Sequence, residues 1–264
     1  MKKVKKILLG IAIALVVLII VAVIVVGLFL GKIVKAGMET IGPKITQTTL
    51  TVDSVDVSML TGSAKVKNLV IGNPEGFKAP NAISVGLAAV SVSPMSVLSD
   101  KIVVKSIRLE SPEITFEGGL SGNNLSKLLD NVNGTAKNGG PVPTNTTATA
   151  GSQPGKKLEV DDLLITGAKV HGTLILPGRG EVTLPPLPLP DIHLTDLGKG
   201  PEGITSTELT KQVLREVVSG VIQAVGSAAT NLGKTIGKDA GKAVGEGVNK
   251  ITTGIGGLIN KATK

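Results

Sequence analysis

Hydrophobic positions along this chain follow three rhythms in turn. From Ile7 to Leu30 they form an unbroken run of 24 residues with no charge, no proline and no polar side chain. At about 1.5 Å per residue a helix of that length spans roughly 36 Å, enough to cross a bilayer core with some tilt. A cleaved signal peptide has a shorter apolar core of about 7–15 residues and a small-residue cleavage site. The exit Gly31-Lys32-Ile33-Val34-Lys35 has neither, so the run reads as an uncleaved anchor. Lys2, Lys3, Lys5 and Lys6 outnumber Lys32 and Lys35 at its ends, which keeps the N-terminus cytoplasmic and translocates the rest.

The second rhythm is period two. From Ile45 to Phe116 the chain is rich in Val, Ile, Thr and Ser; Ile83, Val85 and Leu87 alternate, as do Ile107 with Leu109 and Ile114 with Phe116. Gly62, Gly72-Asn73-Pro74, Pro80-Asn81, Ser93-Pro94, Ser99-Asp100 and Ser111-Pro112 mark turns, and the spacing predicts an antiparallel meander. At Val52-Asp53-Ser54-Val55 the period slips, which predicts a bulge. Residues 124–130 predict a short helix capped by Asn123 or Asn124. Residues 133–157, poor in large apolar side chains, predict a disordered linker. Strand character returns at 158–166, 168–176, 181–184 and 192–194, and three or four short strands seldom fold alone, so residues 158–206 should complete the first sheet.

The third rhythm is helical. From Thr207, Val213, Leu214, Val217, Val218, Val221, Ile222 and Val225 recur at helical spacing, with Ser206 or Thr207 as N-cap. After Leu232 a four-residue repeat sets Gly233, Gly237, Gly241 and Gly245 in one row and Lys234, Lys238 and Lys242 in the next. A basic amphipathic helical tail over 207–264, its Gly/Lys rows lying on an anionic bilayer, fits this pattern best. Packing against a partner helix through the small residues is another reading, and disorder of the last 30 residues a third, since glycine costs about 1 kcal/mol per helical residue.

Charge sharpens the picture. The net +8 is concentrated at the two ends: residues 1–35 carry six lysines and no acid, and 207–264 carry eight basic against four acidic residues. No Trp, no Tyr and only three Phe accompany it, which argues against nucleic acid as a partner. The absence of cysteine removes disulfides and thiolate metal sites. His171 and His193 stand without ligand spacing, and Asp161-Asp162 are expected on opposite faces of a strand. No Gly-rich phosphate loop follows a strand. The chain therefore reads as a non-enzyme with no cofactor and no metal.

Several segments in order resemble the N-terminal region of the bacterial AsmA family. They are Gly62-Ser63-Ala64-Lys65-Val66-Lys67-Asn68-Leu69-Val70-Ile71-Gly72-Asn73-Pro74-Glu75-Gly76-Phe77, Ile83-Ser84-Val85, Leu98–Ile107, Glu110–Glu117 and Asn124–Leu129. The resemblance is clear over about residues 45–132 and looser over 158–200. It implies an inner-membrane anchor, a periplasmic β-rich body, and a relation to lipid carriers whose curved sheets form an apolar groove. It also implies a part in phospholipid traffic to, and integrity of, the outer membrane.

The resulting expectation is a mainly β protein with helical ends: an N-terminal transmembrane helix, a small, curved, antiparallel β-sheet body able to form a groove, and a C-terminal Gly/Lys-rich amphipathic helix. The expected organisation is anchor 1–35, β region 36–132, linker 133–157, completing strands 158–206 and tail 207–264. The expected localisation is the bacterial inner membrane, single-pass, with the body in the periplasm. Candidate lipid-facing residues are Val66, Val70, Ile83, Val85, Leu87, Ile107, Leu109, Ile114 and Phe116, and Lys234, Lys238 and Lys242 are candidates for the membrane surface. Expected partners are membrane phospholipid and an envelope protein or a second copy of the chain. The rival reading is a non-enzymatic scaffold or a tethered β-sandwich resembling the LEA-14 group.

Overall fold

In the computed structural model, residues 29–119, 122–137, 156–176 and 180–236 are described, together with Leu15, Leu18 and Gly27. Helix α1 covers 29–46. The strands are β1 (Leu50–Thr51), β2 (Ser54–Ser58), β3 (Ser63–Gly72), β4 (Asn81–Val92), β5 (Lys101–Glu110), β6 (Glu113–Gly118), β7 (Lys157–Thr166), β8 (Lys169–Leu176), β9 (Gly180–Pro188) and β10 (Ile192–Leu197). Helices α2 (Asn124–Lys137) and α3 (Ser206–Ile236) complete the described body. All ten strands belong to one sheet, curled into a half-barrel.

The ten strands are six long ones, four of them interrupted. β5 pairs with β7 and β6 with β8 at one constant offset, as in Lys101↔Lys157 and Glu113↔Lys169. β1 and β2 likewise hold a single register against β3, as do β9 and β10 against β8 and β7 beside the break. Spatial order therefore follows chain order: β1–β2, β3, β4, β5–β6, β7–β8, β9–β10. Four of the five pairings are antiparallel, as the turn spacing predicted. The fourth is parallel, which corrects the expectation of a purely antiparallel sheet. A parallel neighbour needs a crossover of a dozen or more residues, and residues 119–156, with α2, provide it.

Carrying the registers through the interruptions sets Asp53, Asn68, Gly86, Ser111, Gly167 and Pro190 opposite one another. Asn68, Ser111 and Gly167 have φ of 48°, 48° and 63°. A crease thus crosses the whole sheet. At the crease the inward side chain steps by three residues instead of two: Val52 to Val55, Val66 to Leu69, Val85 to Ala88, Leu109 to Pro112, Ile165 to Ala168 and Leu189 to Ile192. The extra residue in every strand keeps the same face apolar on both sides of the fold line. At Val52–Val55 the slip is thus one end of the crease and leaves the register unchanged, rather than an isolated bulge.

All three helices lie on the concave, apolar face. Val34 and Met38 of α1 pack with Leu50, Val55 and Val57, while Ile45 joins the larger core. Leu125, Leu128, Leu129 and Val132 of α2 are buried with Phe116, Val170 and Leu174. α2 begins at Asn123, whose side chain accepts the Ser126 N–H at 2.8 Å, and it runs on to Lys137. It is longer than the sequence predicted, because Val132 continues its apolar stripe and Thr135 reaches the Ile45 carbonyl at 3.2 Å. That takes 133–137 out of the expected disordered linker; residues 138–155 lie outside the described residues. α3 starts one residue earlier than its predicted caps. Thr205 Oγ1 accepts the Glu208 N–H at 3.1 Å while Glu208 Oε2 accepts the Thr205 N–H at 2.9 Å, a reciprocal capping box.

Both edges of the sheet are partly blunted. Glu39 accepts the Val52 N–H at 3.0 Å, Lys35 donates to the Asp53 carbonyl at 2.9 Å, and α1 thereby covers the β1–β2 edge. The opposite edge carries Pro185, Pro186 and Pro188 in β9, which have no N–H to offer a further strand. Among the described residues no helix is long and apolar enough to cross a membrane. Most of the predicted transmembrane run lies outside them, as does the tail beyond Ile236.

Candidate functional site: an apolar hollow at the crease

The bend at the crease leaves a hollow of about 380 Å³ between the concave face and the helices. Its wall is the set of crease-flanking residues: Val66 and Leu69 of β3, Val85 and Ala88 of β4, Leu109 and Pro112, Ile165 and Ala168, and Ile192. Its roof is α3, whose Leu209, Thr210, Val213, Leu214 and Val217 share one helical face. Met38 and Thr46 of α1 and Leu128 of α2 close the remaining sides. Among the described residues, Thr46 and Thr210 carry the only polar side chains of the lining, and no charge faces it. An ordinary core buries its large side chains, yet Ile71, Ile83, Val90, Ile107 and Leu109 are only half-buried. The hollow is open to solvent.

Six of the nine predicted lipid-facing residues line it: Val66, Ile83, Val85, Ile107, Leu109 and Ile114. Phe116 shares their face but is fully buried beneath α2, as core. Val70 and Leu87 point to the other face. Each was assigned by unbroken alternation, and each sits just past the step at Asn68 or Gly86 that reverses the phase. Val70 lines a convex-face depression with Asn68, Ser84 and Ser111, and Leu87 is exposed. Alternation alone missed Leu69, Ile71, Ala88 and Val90 for the same reason. The walls supplied by Ile165, Ile192 and α3 are long-range neighbours with no local signature. Of the predicted surface lysines, Lys234 lies in the last turn of α3, its side chain not described, and Lys238 and Lys242 lie outside the described residues.

Charge is kept to the convex face. There Lys67 and Asp56 pair at 2.9 Å across β3 and β2, Lys101 pairs with Glu159 across β5 and β7, and Asp162 takes both Arg108 and His193. The hydrogen bond from His193, then that from Arg108, holds the Asp162 carboxyl below its usual range. Asp161 does not oppose Asp162 as predicted, because the inward positions step from Val160 to Leu163 and leave both acids outward. Among the described residues His171 Nε2 is buried and meets no hydrogen-bond partner. Among the described residues no three His, Asp or Glu side chains gather closely enough to hold a metal.

Beside the hollow, the loop after β3 is tied to the start of α2. Buried Asn124 donates to Asn73 Oδ1 and to the Thr115 carbonyl, both at 2.7 Å, and accepts the Glu117 N–H at 2.9 Å. Asn73 in turn donates to the Ala79 carbonyl at 2.9 Å, and Glu117 accepts the N–H groups of Lys78 and Ala79. The Gly72-Asn73-Pro74 turn is thereby a structural clasp. The AsmA family model matches residues 1–173, from the apolar run through this clasp and into β8. The chain belongs to the AsmA family. No curated protein and no solved structure matches it. The family match ends before β9, β10 and α3, so the roof of the hollow lies beyond it.

Proposed function

We propose that this AsmA-family protein is a non-enzymatic, membrane-anchored lipid-handling protein of the bacterial envelope. Its anchor sits in the inner membrane, its body faces the periplasm, and it binds phospholipid or hands it on in support of outer-membrane assembly or integrity. One observation carries the reading: the concave face encloses an open hollow lined almost wholly by aliphatic side chains. Its volume falls at the small end of ligand-sized pockets. An acyl chain asks for nothing more specific than such a surface, at about 25 cal/mol per Å² covered. The headgroup, which no charge in the lining would meet, stays in solvent at the rim. A single sheet whose inner face is covered by helices supports this reading over the sandwich rival.

Native mass spectrometry of the full chain, exchanged from membranes into mild detergent, tests the proposal. Retained phospholipid, lost in Ile107→Asp and kept in Leu87→Asp, is the expected result. Equal lipid retention in both variants and the parent protein would place the lipid on the anchor and leave a scaffold as the better account.

A further inference from the structure

Polar and apolar positions are inverted at one end of the sheet. Outside the apolar run and α1, the exposed large apolar side chains among the described residues are Met59, Leu60, Leu87, Met95, Val97, Leu98 and Ile175. Five of these seven occupy two adjoining connections, the β2–β3 turn and the short 3-10 helix Pro94–Leu98 between β4 and β5. The connections touch: Val92 N–H donates to the Gly62 carbonyl at 2.7 Å, and a Cβ on Gly62 would meet Pro94 at 3.0 Å. Within the 3-10 helix it is Ser96 that is buried, donating to the Ser93 carbonyl at 2.7 Å and accepting the Val103 N–H at 2.9 Å. Its neighbours Met95 and Leu98 are 77% and 83% exposed, and Leu60 across from them is 90% exposed. A turn that faces water buries its leucine and exposes its serine; here the hydrogen bonds fix the reverse.

The anchor fixes what this end faces. α1 runs antiparallel along the sheet edge. Gly31 lies directly against the Val55 carbonyl, Lys35 holds the Asp53 carbonyl, Glu39 holds the Val52 N–H, and Gly42 lies against Leu50. From Gly31 to Gly42 the helix rises roughly 16 Å, and from Leu50 to Val55 a strand rises roughly the same, so the two keep step. From Val55 the strand continues for about another 10 Å to Ser58, with the Met59-Leu60 turn beyond it, whereas Gly31 is only about 3 Å from Phe29, where the apolar run joins α1. The strand end before the Met59-Leu60 turn therefore already lies about 7 Å beyond the point at which the apolar run joins α1. Lys32, over the Phe29 ring at 5.6 Å, and Lys156, bonded to the Val97 carbonyl, put ammonium groups near the base of this end.

We propose that Met59, Leu60, Met95, Val97 and Leu98 form a membrane-inserting tip that enters the same phospholipid bilayer as the anchor. The body is then held to that membrane at two points, with the sheet standing on its β2–β3 and β4–β5 connections. This inference rests on residues 7–30 being an anchor, and does not depend on the hollow carrying lipid.

The chain contains no cysteine, so single cysteines report cleanly. Full-length Phe29→Cys, Leu60→Cys, Leu98→Cys and Ile175→Cys proteins, each labelled with an environment-sensitive fluorophore, are reconstituted into phosphatidylethanolamine/phosphatidylglycerol vesicles. Bilayer-depth quenching is then read with spin-labelled lipids. The expected result is blue-shifted emission and lipid quenching at positions 60 and 98 comparable to position 29, with none at Ile175 on β8. Introducing Met95→Glu into the Leu60→Cys protein should abolish the quenching at 60 while leaving the circular dichroism spectrum unchanged. Quenching at 29 but not at 60 or 98 overturns the tip alone. Shielding of 60 and 98 from aqueous iodide without lipid quenching also overturns it, by showing a protein contact. Absence of quenching at all four positions overturns the anchor, and the tip with it.

Discussion

Ser111 holds φ 48° between β5 and β6, opposite Gly167 at 63° on the neighbouring strand. Left-handed backbone crowds a β-carbon by about 1–2 kcal/mol, most of all a β-branched one. Ser111→Val is expected to lower stability by about that amount in urea unfolding, and Ser111→Gly to cause no loss. An equal effect of both would show that the crease is not a backbone constraint. Asp162 gives a second residue-scale expectation. Its carboxyl is held below the usual 3.8 by His193 and Arg108, so its contribution is present above that value and lost as pH falls through the lowered one. Asp162→Asn should therefore flatten the acid limb of a stability–pH curve below about pH 4. The sequence showed the convex residues as charged but not which would meet, because the Arg108–Asp162–His193 contact joins three strands far apart in the chain.

At the scale of elements, strands, turns and the long amphipathic α3 were legible from their periods, and so was the return of residues 158–197 to the first sheet. What escaped was phase. Ile83, Val85 and Leu87 read as one face, yet the step at Gly86 turns Leu87 outward and brings Ala88 in; Val70 is lost to the step at Asn68 in the same way. The clue lay in apolar pairs three apart, Val52/Val55, Val66/Leu69, Val85/Ala88 and Ile165/Ala168, of which only the first is conspicuous without knowing the register. The parallel β5–β6/β7–β8 pairing was hidden by the uninformative 138–155 segment. Two element ends carry measurable weight. Thr205→Ala removes one side of the α3 capping box and should cost about 1 kcal/mol in thermal or urea unfolding. Asn124→Ala orphans the Glu117 N–H and the Thr115 carbonyl beneath α2 and should cost about 3 kcal/mol, at about 1–3 kcal/mol per buried group. A loss under about 1 kcal/mol would mean that the clasp is not what seats α2.

For the whole molecule, the bend of the sheet and the hollow beneath α3 both arise at the crease. Every strand spends one extra residue there, so a single apolar face continues around a bend and leaves a hollow that flat packing would have filled. α3 then lies across it as a roof. It begins beside Leu158, paired through Ile204, at the end of the sheet that carries Leu60 and Leu98. Its 31 residues run about 46 Å toward the α2 end. The exposed apolar connections and the C-terminal end of α3 thus lie at opposite ends of the hollow. The measurement that bears most directly on this arrangement is photo-crosslinking with a phospholipid carrying a diazirine at mid-acyl chain, applied to the full-length protein in vesicles. Adducts are mapped by peptide mass spectrometry. The account expects them on hollow-lining peptides of β4, β5 and α3, around Val90, Ile107 and Val213, and expects Ile107→Asp to remove them. Adducts confined to residues 7–30 and the tip, with none on α3 or the crease, would contradict it.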